Sequence, residues 1–423
     1  MNSDAAQVVA RLARTDGRRM TAAILRIVGG ARLDFAEDCV QEALASALSA
    51  WPEQGVPDDP FAWVLTAARN RALDRIRRNA TAAALEPKVV EWVEALQRPA
   101  VDDLGDEELT LLVLCCHEAL DEEARLALTL KSVCGFSVPE IARAFLLKPE
   151  TLAQRLVRAK ARVRELKVGF AMPGSEGLAA RMPSVLRAIY LLFNEGYAPG
   201  GGDQGLKADV CVEALRLIRV VTGDARTASP QAWALRALIA FQHSRMAARV
   251  SADGALILLP DQDRALWDRA LIAEGYRALQ RAMAGETVTA YHLEAGAASV
   301  HAGARSWAET NWSEMIGFYD ALMEAAPSPV AAVNRALAVS MREGPEAGLA
   351  ALDPYQDQAA LRAYAPFHVV RADLLSRAGR QAEARAALQA ALALDLSEPE
   401  RRLIEGNLKA AQASLEGAPA KLH

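Results

Sequence analysis

Aromatic residues are scarce: they make up 5% of the 423-residue chain, although 52% of it is hydrophobic. Ala and Leu carry that hydrophobic share, which favours helices over sheets, because strands prefer β-branched and aromatic side chains. The expected fold class is therefore all-α. Cysteine is sparse as well. Cys39, Cys115, Cys116, Cys134 and Cys211 are an odd number and contain no CxxC pair, and adjacent residues such as Cys115 and Cys116 bridge only with strain. That usage argues for a reducing compartment. No stretch approaches the roughly 20 apolar residues of a membrane span, and the opening MNSDAAQVVARLAR lacks the apolar core of an export signal. A cytoplasmic protein without a membrane partner is expected. A strong net charge is also missing, and the value of −5 excludes only a globally basic coat for nucleic acid. The length is too great for one ordinary domain, so two or three units are expected.

Charge is instead gathered locally. Arg69, Arg71, Arg75, Arg77 and Arg78 fall within ten residues, and Arg155, Arg158, Lys160, Arg162, Arg164 and Lys167 form a second basic run. Acidic clusters offset them, at Glu37, Asp38 and Glu42 and again at Asp102, Asp103, Asp106, Glu107 and Glu108. An acidic protein can bind DNA if its basic residues share one surface.

Three zones separate on composition. Residues 5–80 read as helices over 6–28, 36–51 and 60–78, with Asp34 as an N-cap and Glu37 completing a capping box. The Pro-, Gly- and Asp-rich stretch 52–60 reads as a turn or loop. Residues 81–106, with Pro87, Pro99 and an acidic run, read as a flexible linker. Residues 107–168 hold four helical segments. Residues 175–415 form a further helical zone, broken at 199–205, at 251–263 and at Pro327, Pro345 and Pro354. Within it, Ala372, Ala378, Gly379, Ala384, Ala387 and Ala391 alternate with Leu374, Leu375, Leu388 and Leu392. Small residues at such spacings let antiparallel helices approach closely, as in tetratricopeptide-like (TPR-like) arrays.

The strongest local pattern is FSVPEIARAFLLKPETLAQRLVRAKARVRE, residues 136–165. Ser137 suits an N-cap and Pro139 a first turn, where its missing N–H costs nothing. Pro149 and Glu150 suit the start of a second, basic helix. Ile141, Ala142, Phe145, Leu152 and Leu156 supply a seam between the two. This is helix-turn-helix spacing, which sends the second helix into the major groove. Glu150, Thr151, Gln154 and Arg155, near its exposed start, are the candidates for reading bases. Arg158, Lys160, Arg162 and Arg164 suit phosphate contacts, which position the protein without specifying sequence.

A second pattern is FAWVLTAARNRALDRIRR, residues 61–78. Trp63, Leu65, Ala68, Ala72, Leu73 and Ile76 can face a core while the arginines point outward. Such a helix can neutralise phosphates and meet unstacked bases of a single strand, but taken alone it equally suits a solvated face.

Read with DFAEDCVQEALASALSAW just upstream (34–51), these segments resemble the extracytoplasmic-function (ECF) group of the sigma-70 family. The resemblance is closer still to the subgroup with a large C-terminal helical extension, since FNEGY (193–197) and DQDRALWDRALIAE (261–274) are similar to motifs of that extension. The resemblance implies that Asp34, Glu37, Asp38, Gln41 and Glu42 dock on the β′ clamp helices of core RNA polymerase. It implies that Arg69, Asn70, Arg71, Asp74, Arg75, Arg77 and Arg78 meet the −10 element. It implies that Glu150, Thr151, Gln154, Arg155, Arg158, Lys160 and Arg162 meet the −35 element. Partners would then be the polymerase, through the clamp helices and the β flap, and promoter DNA. A small DGPF (YCII-related) protein on the C-terminal zone is implied too, that zone modulating sigma activity, while an apolar, grooved helical array by itself suits protein or peptide binding. Many relatives carry Gly in the helix-turn-helix turn, where this chain has Leu146, Leu147 and Lys148.

Other patterns lead less far. Cys115, Cys116 and His117 point about 100° apart on a helix and cannot together close a tetrahedral metal site, so buried thiols and a packing or capping His are expected. No metal, cofactor or catalytic residue is assigned, since His243, His292, His301 and His368 have no nucleophile or acid at a telling spacing. Gly200–Asp203 lacks the ending and the preceding strand of a phosphate cradle. Asn194, Glu195 and Tyr197 fit a ligand or docking site and fit equally a helix end capped at Gly196. A helix-turn-helix regulator that never joins polymerase, or an enzyme with a DNA-binding appendage, are the alternatives.

Overall fold

The computed structural model describes residues 2–80, 92, 94–96, 107–144, 147–167, 169–197, 204–249, 251, 256–394 and 396–415. Among these, the elements are helices and no strand is present. The chain divides into two compact units, Met1–Leu192 and Phe193–His423.

In the first unit, α1 (Asn2–Thr15) and α2 (Gly17–Val28) replace the single helix expected over 6–28. The chain breaks at Asp16, where the Thr15 hydroxyl and the Arg19 guanidinium bind the Asp16 carboxylate, the local side-chain competition that makes Asp a poor helix interior residue. After a 3₁₀ turn at Gly30–Arg32, α3 runs Leu33–Gln54. It begins one residue before Asp34, so the expected capping box at Asp34 and Glu37 does not form. It also continues through Pro52 to Gly55, whose φ of 86° ends it. The expected loop 52–60 is thus shorter, because glycine's freedom, not proline's ring, sets the stop. Helix α4 (Pro60–Ala80) lies on α3, with Val64, Leu65, Ala68, Ala72, Leu73 and Ile76 buried. Trp63 is only half-buried and meets Trp51 edge-on at 5.5 Å. Most of 81–106 lies outside the described residues. Trp92 and residues 94–96 are helical, with Leu96 buried.

The four helices expected over 107–168 are α5 (Glu107–Cys115), α6 (Glu122–Leu128), α7 (Val138–Ala144) and α8 (Pro149–Glu165). Ser137 and Glu140 cap α7 reciprocally: the Glu140 carboxylate accepts from Ser137 N–H at 2.7 Å and the Ser137 hydroxyl accepts from Glu140 N–H at 3.3 Å. Ile141, Ala142, Leu152 and Leu156 are buried in the predicted seam. Phe145 and Leu146 lie outside the described residues. Helix α9 (Ser175–Tyr197) follows and contains the division between the units.

The second unit is a succession of helix pairs: α10 (Gln204–Gly223), α11 (Pro230–His243), α12 (Arg269–Ala282), α13 (Ala290–Gly303), α14 (Trp312–Ala325), α15 (Pro329–Glu343), α16 (Pro345–Leu352), α17 (Ala359–Arg362), α18 (Ala365–Arg377), α19 (Gln381–Leu392) and α20 (Glu398–Leu415). Ser229 and Ser328 cap α11 and α15, each followed by a proline in the first turn. The expected pair 367–394 is α18 and α19, joined at Gly379 with φ 79°. Ala372, Ala384, Ala387 and Ala391 share its core with Leu374, Leu375 and Leu388. Glycine serves the same close approach elsewhere. A Cβ on Gly275 would lie 2.5 Å from the Phe241 ring, which is itself buried, and one on Gly348 would lie 3.0 Å from the backbone oxygen of Ala336.

Gly275→Ala is accordingly expected to cost about 1–3 kcal/mol by overpacking, seen as a lower Tm. Gly406→Ala, at an exposed helical position with nothing within 4 Å, is expected to gain up to about 1 kcal/mol.

Candidate functional site

The acidic face of α3 is engaged by the chain itself. Glu37 is 7% exposed. One of its oxygens accepts from the Ser132 hydroxyl at 2.5 Å and the other from Lys160 Nζ at 2.6 Å. A buried carboxylate survives only when both oxygens find partners, and here both do. Lys160 also lies 3.2 Å from Asp34, which takes Arg164 on its second oxygen at 2.6 Å. Burial works against the Lys160 charge, but Glu37 and Asp34 more than offset this and hold its pKa above that of a free lysine. The basic helix of the helix-turn-helix is thereby laid on the acidic helix expected to dock a partner. A second seam joins α2 to α5 through Arg18–Glu108 at 2.8 Å and Arg26–Glu107 at 3.1 Å.

Asp38 and Glu42, further along α3, face α4. Glu42 binds Arg71 at 3.1 Å and pairs closely with Arg75, which also lies 3.5 Å from Asp38. Gln41 is exposed. The two arginines expected to project toward DNA are thus tied to the acidic helix, and Arg69 donates inward to the Ala95 carbonyl at 2.9 Å. Asn70, Asp74, Arg77 and Arg78 are the exposed members of that set.

On α8, Glu150, Thr151, Gln154, Arg158 and Arg162 are exposed, and Arg155 pairs with Glu123 at 3.1 Å. The end of the helix suited to base edges therefore stays open, while Lys160 and Arg164 are occupied. Lys148, in the turn, is exposed in extended conformation before Pro149, the backbone that a following proline enforces without any glycine.

Sequence reasoning missed Ser132, Arg18 and Arg26. Their partners lie far along the chain, and no local spacing marks them.

Cys115, Cys116 and His117 are all buried. Cys116 meets the Thr129 hydroxyl at 3.6 Å, and His117 Nδ1 accepts from Ala119 N–H at 3.1 Å. Burial raises both thiols, that of Cys116 to about 11. In the second unit, His292 caps α13 together with Thr289, and His368 lies 2.9 Å from the Arg362 carbonyl. Helix α9 runs through Gly196 to Tyr197. Gly200–Asp203 lie outside the described residues. No helix among the described residues is long and apolar enough to cross a membrane.

Comparison with known proteins decides the family. Residues 12–81 match the model of sigma-70 region 2, and residues 110–163 match that of sigma-70 region 4. The chain belongs to the sigma-70 family. Region 2 of this sigma factor is then α1–α4 and region 4 contains the helix-turn-helix, so the Lys160–Glu37 pair joins region 4 to region 2. Residues 181–283 match a family of unknown function, DUF6596. An uncharacterized protein of Rhizobium meliloti (strain 1021) is 40% identical over 382 residues, which cover 89% of this chain and 90% of that relative. No solved structure matches. Sigma factors bind core RNA polymerase and promoter DNA and are not an enzyme family.

The double variant Lys160→Glu, Arg164→Glu sets like charges against Asp34 and Glu37. It is expected to part the two regions, measured as a larger radius of gyration by small-angle scattering at low salt. An unchanged radius would mean that these pairs do not hold the regions together.

Proposed function

We propose that this sigma factor is of the ECF type and that its second unit modulates its activity. The observation that carries the reading is the spacing of the two sigma regions: only residues 82–109 separate their matches, too few for another sigma domain. Asp34, Glu37, Asp38, Gln41 and Glu42 form the polymerase-docking face. Asn70, Asp74, Arg77 and Arg78 meet the −10 strand first, Arg71 and Arg75 join them as the helix is drawn away from its own acids, and Arg69 joins on leaving the Ala95 carbonyl. Glu150, Thr151, Gln154 and Arg155 read the −35 element, with Arg158, Lys160 and Arg162 on phosphates.

The ion pairs give this reading a mechanism. Asp34 and Glu37 cannot serve a partner while Lys160 and Arg164 cover them, and those two cations cannot serve DNA. Polymerase and promoter each supply the missing counter-charge, so binding one releases the residue that the other needs. Arg164–Asp34 lies at the wet edge of the seam, where exchange costs little, whereas the buried Glu37–Lys160 pair opens only as polymerase and promoter supply replacement charges. A single electrostatic contact thereby couples docking to promoter capture. The resemblance adds a small DGPF-type protein as a partner of the second unit, a helical array also suits a peptide, and regulation through that unit is part of the proposal.

Charge reversal at Asp38 and Glu42 is expected to abolish capture of the chain by core polymerase while leaving non-specific DNA binding in place. Capture at the original level would mean that Asp38 and Glu42 are not part of the docking face. Run-off transcription with core polymerase tests the second unit: a chain ending at Leu192 is expected to differ at least severalfold in promoter-specific output from the full chain. Equal output would remove the modulating role.

A further inference from the structure

Two motifs remain unused by the sigma reading, 193–197 and 261–274, and the second unit brings them together. Tyr197 comes from the first, Arg264 and Trp267 from the second, and Arg245 and Arg249, just after α11, lie between. Arg249 stacks on the Tyr197 ring with its Cζ 3.5 Å from the ring centre and donates to the Tyr197 carbonyl at 2.6 Å. Arg245 donates to the Tyr197 hydroxyl at 2.6 Å and has its Cζ 5.9 Å from the Trp267 ring. Arg264 covers Trp267 at 4.5 Å and is fixed by the carbonyls of His301 at 2.6 Å and Ala304 at 2.8 Å. His301 in turn stacks on Trp307 at 5.5 Å.

What this cluster lacks is an anion. None of the three arginines forms an ion pair with a carboxylate among the described residues. Another arginine pair of the same unit shows the ordinary solution: Arg219 and Arg236 share the carboxylate of Glu274, at 2.5 Å and 2.8 Å. In the cluster, burial lowers the pKa of Arg249 and of Arg264, and Arg245 lowers both further. Burial, with Arg245 and Arg264 beside it, pushes His301 down to about 3, so it is neutral and adds no charge. Glu309 acts on Arg264 without forming an ion pair, so among the described residues three cations are gathered with no carboxylate in contact, which is costly to keep dry. Around them, Arg264 Nη2, Trp267 Nε1 and His301 Nδ1 are buried and without a hydrogen-bond partner, although Trp267 is only 3% exposed. Buried polar groups left unpaired in this way ask for a missing partner. Tyr197, Arg245, Arg264 and Trp307 each keep some surface exposed, so a small molecule can reach them.

We propose that Arg245, Arg249 and Arg264, with Tyr197, Trp267 and His301, form a binding site for a small organic anion that carries a flat ring. The carboxylate or phosphate of the ligand would take the unpaired guanidinium and indole donors. Its ring would lie among the aromatic side chains, where Arg–aromatic geometry already favours planar partners. The site lies wholly in the second unit, and its test does not depend on transcription.

Isothermal titration of the full chain with benzoate, phenyl phosphate, benzamide and acetate separates the requirements. Saturable binding of benzoate or phenyl phosphate is expected, with the tighter of the two naming the anionic group. Benzamide, without the charge, and acetate, without the ring, are expected to bind at least tenfold more weakly. Arg245→Met is expected to weaken the aromatic anion at least tenfold, and Arg342→Met, at a surface pair with Glu343, to leave it unchanged. Arg264 also holds backbone carbonyls, so Arg245→Lys, which keeps the charge, serves as the folding control and is expected to retain most of the binding. Absence of saturable binding by either aromatic anion, equal binding of benzamide, or indifference to Arg245→Met overturns the proposal.

Discussion

A buried carboxylate cannot be left half-satisfied, and Glu37 is the buried carboxylate on which the first unit depends. Its two oxygens are taken by Ser132 and Lys160, both from the half of the unit that carries region 4. Removing either partner would leave an uncompensated charge, which is the expensive way to break such a contact. The surrounding pairs are worth less individually: Arg164–Asp34 is largely exposed, and exposed ion pairs contribute about 0–1 kcal/mol. Glu37 therefore sets which surfaces of the two regions face each other, and the exposed pairs follow it.

The same geometry links two tasks that the sequence lays out separately. Glu42 and Asp38 hold Arg71 and Arg75, so the acidic helix α3 and the basic helix α4 share their charges inside region 2. Asp34 and Glu37 hold Arg164 and Lys160, so α3 also shares charge with α8. One row of acids on α3 thus neutralises both basic surfaces. This explains how a chain of net charge −5 carries two basic helices without presenting all their charge at once.

Features decided within a turn or two were legible in the sequence. The N-cap at Ser137, the seam of Ile141, Ala142, Leu152 and Leu156, and the small-residue core of 367–394 all follow from spacing and local hydrogen bonding. Features decided by distant partners were not. Glu37 looks like the third residue of a capping box, and local spacing supports that, but its actual partners are 95 and 123 residues away. Arg71 and Arg75 look outward on a helical wheel because the wheel does not know that α3 lies alongside. Pro52 reads as a breaker, yet near the end of α3 it costs little, and Gly55 makes the stop. The Tyr197–Trp267 cluster was visible only as two separate motifs, the first read as a ligand or docking site or a helix end, since Arg245 and Arg249, which complete the cluster, lie in neither.

The most direct measurement of the central claim is the distance between region 2 and region 4 in the free chain and on core polymerase. The five native cysteines are buried, so dyes can be placed on Gln54→Cys and Glu165→Cys, both exposed positions, and read by single-molecule energy transfer. The account predicts a high-transfer state in the free chain that is lost when core polymerase is added and weakened when salt screens the Lys160 and Arg164 pairs. A low-transfer free chain, or a high-transfer state that persists on polymerase, would contradict it.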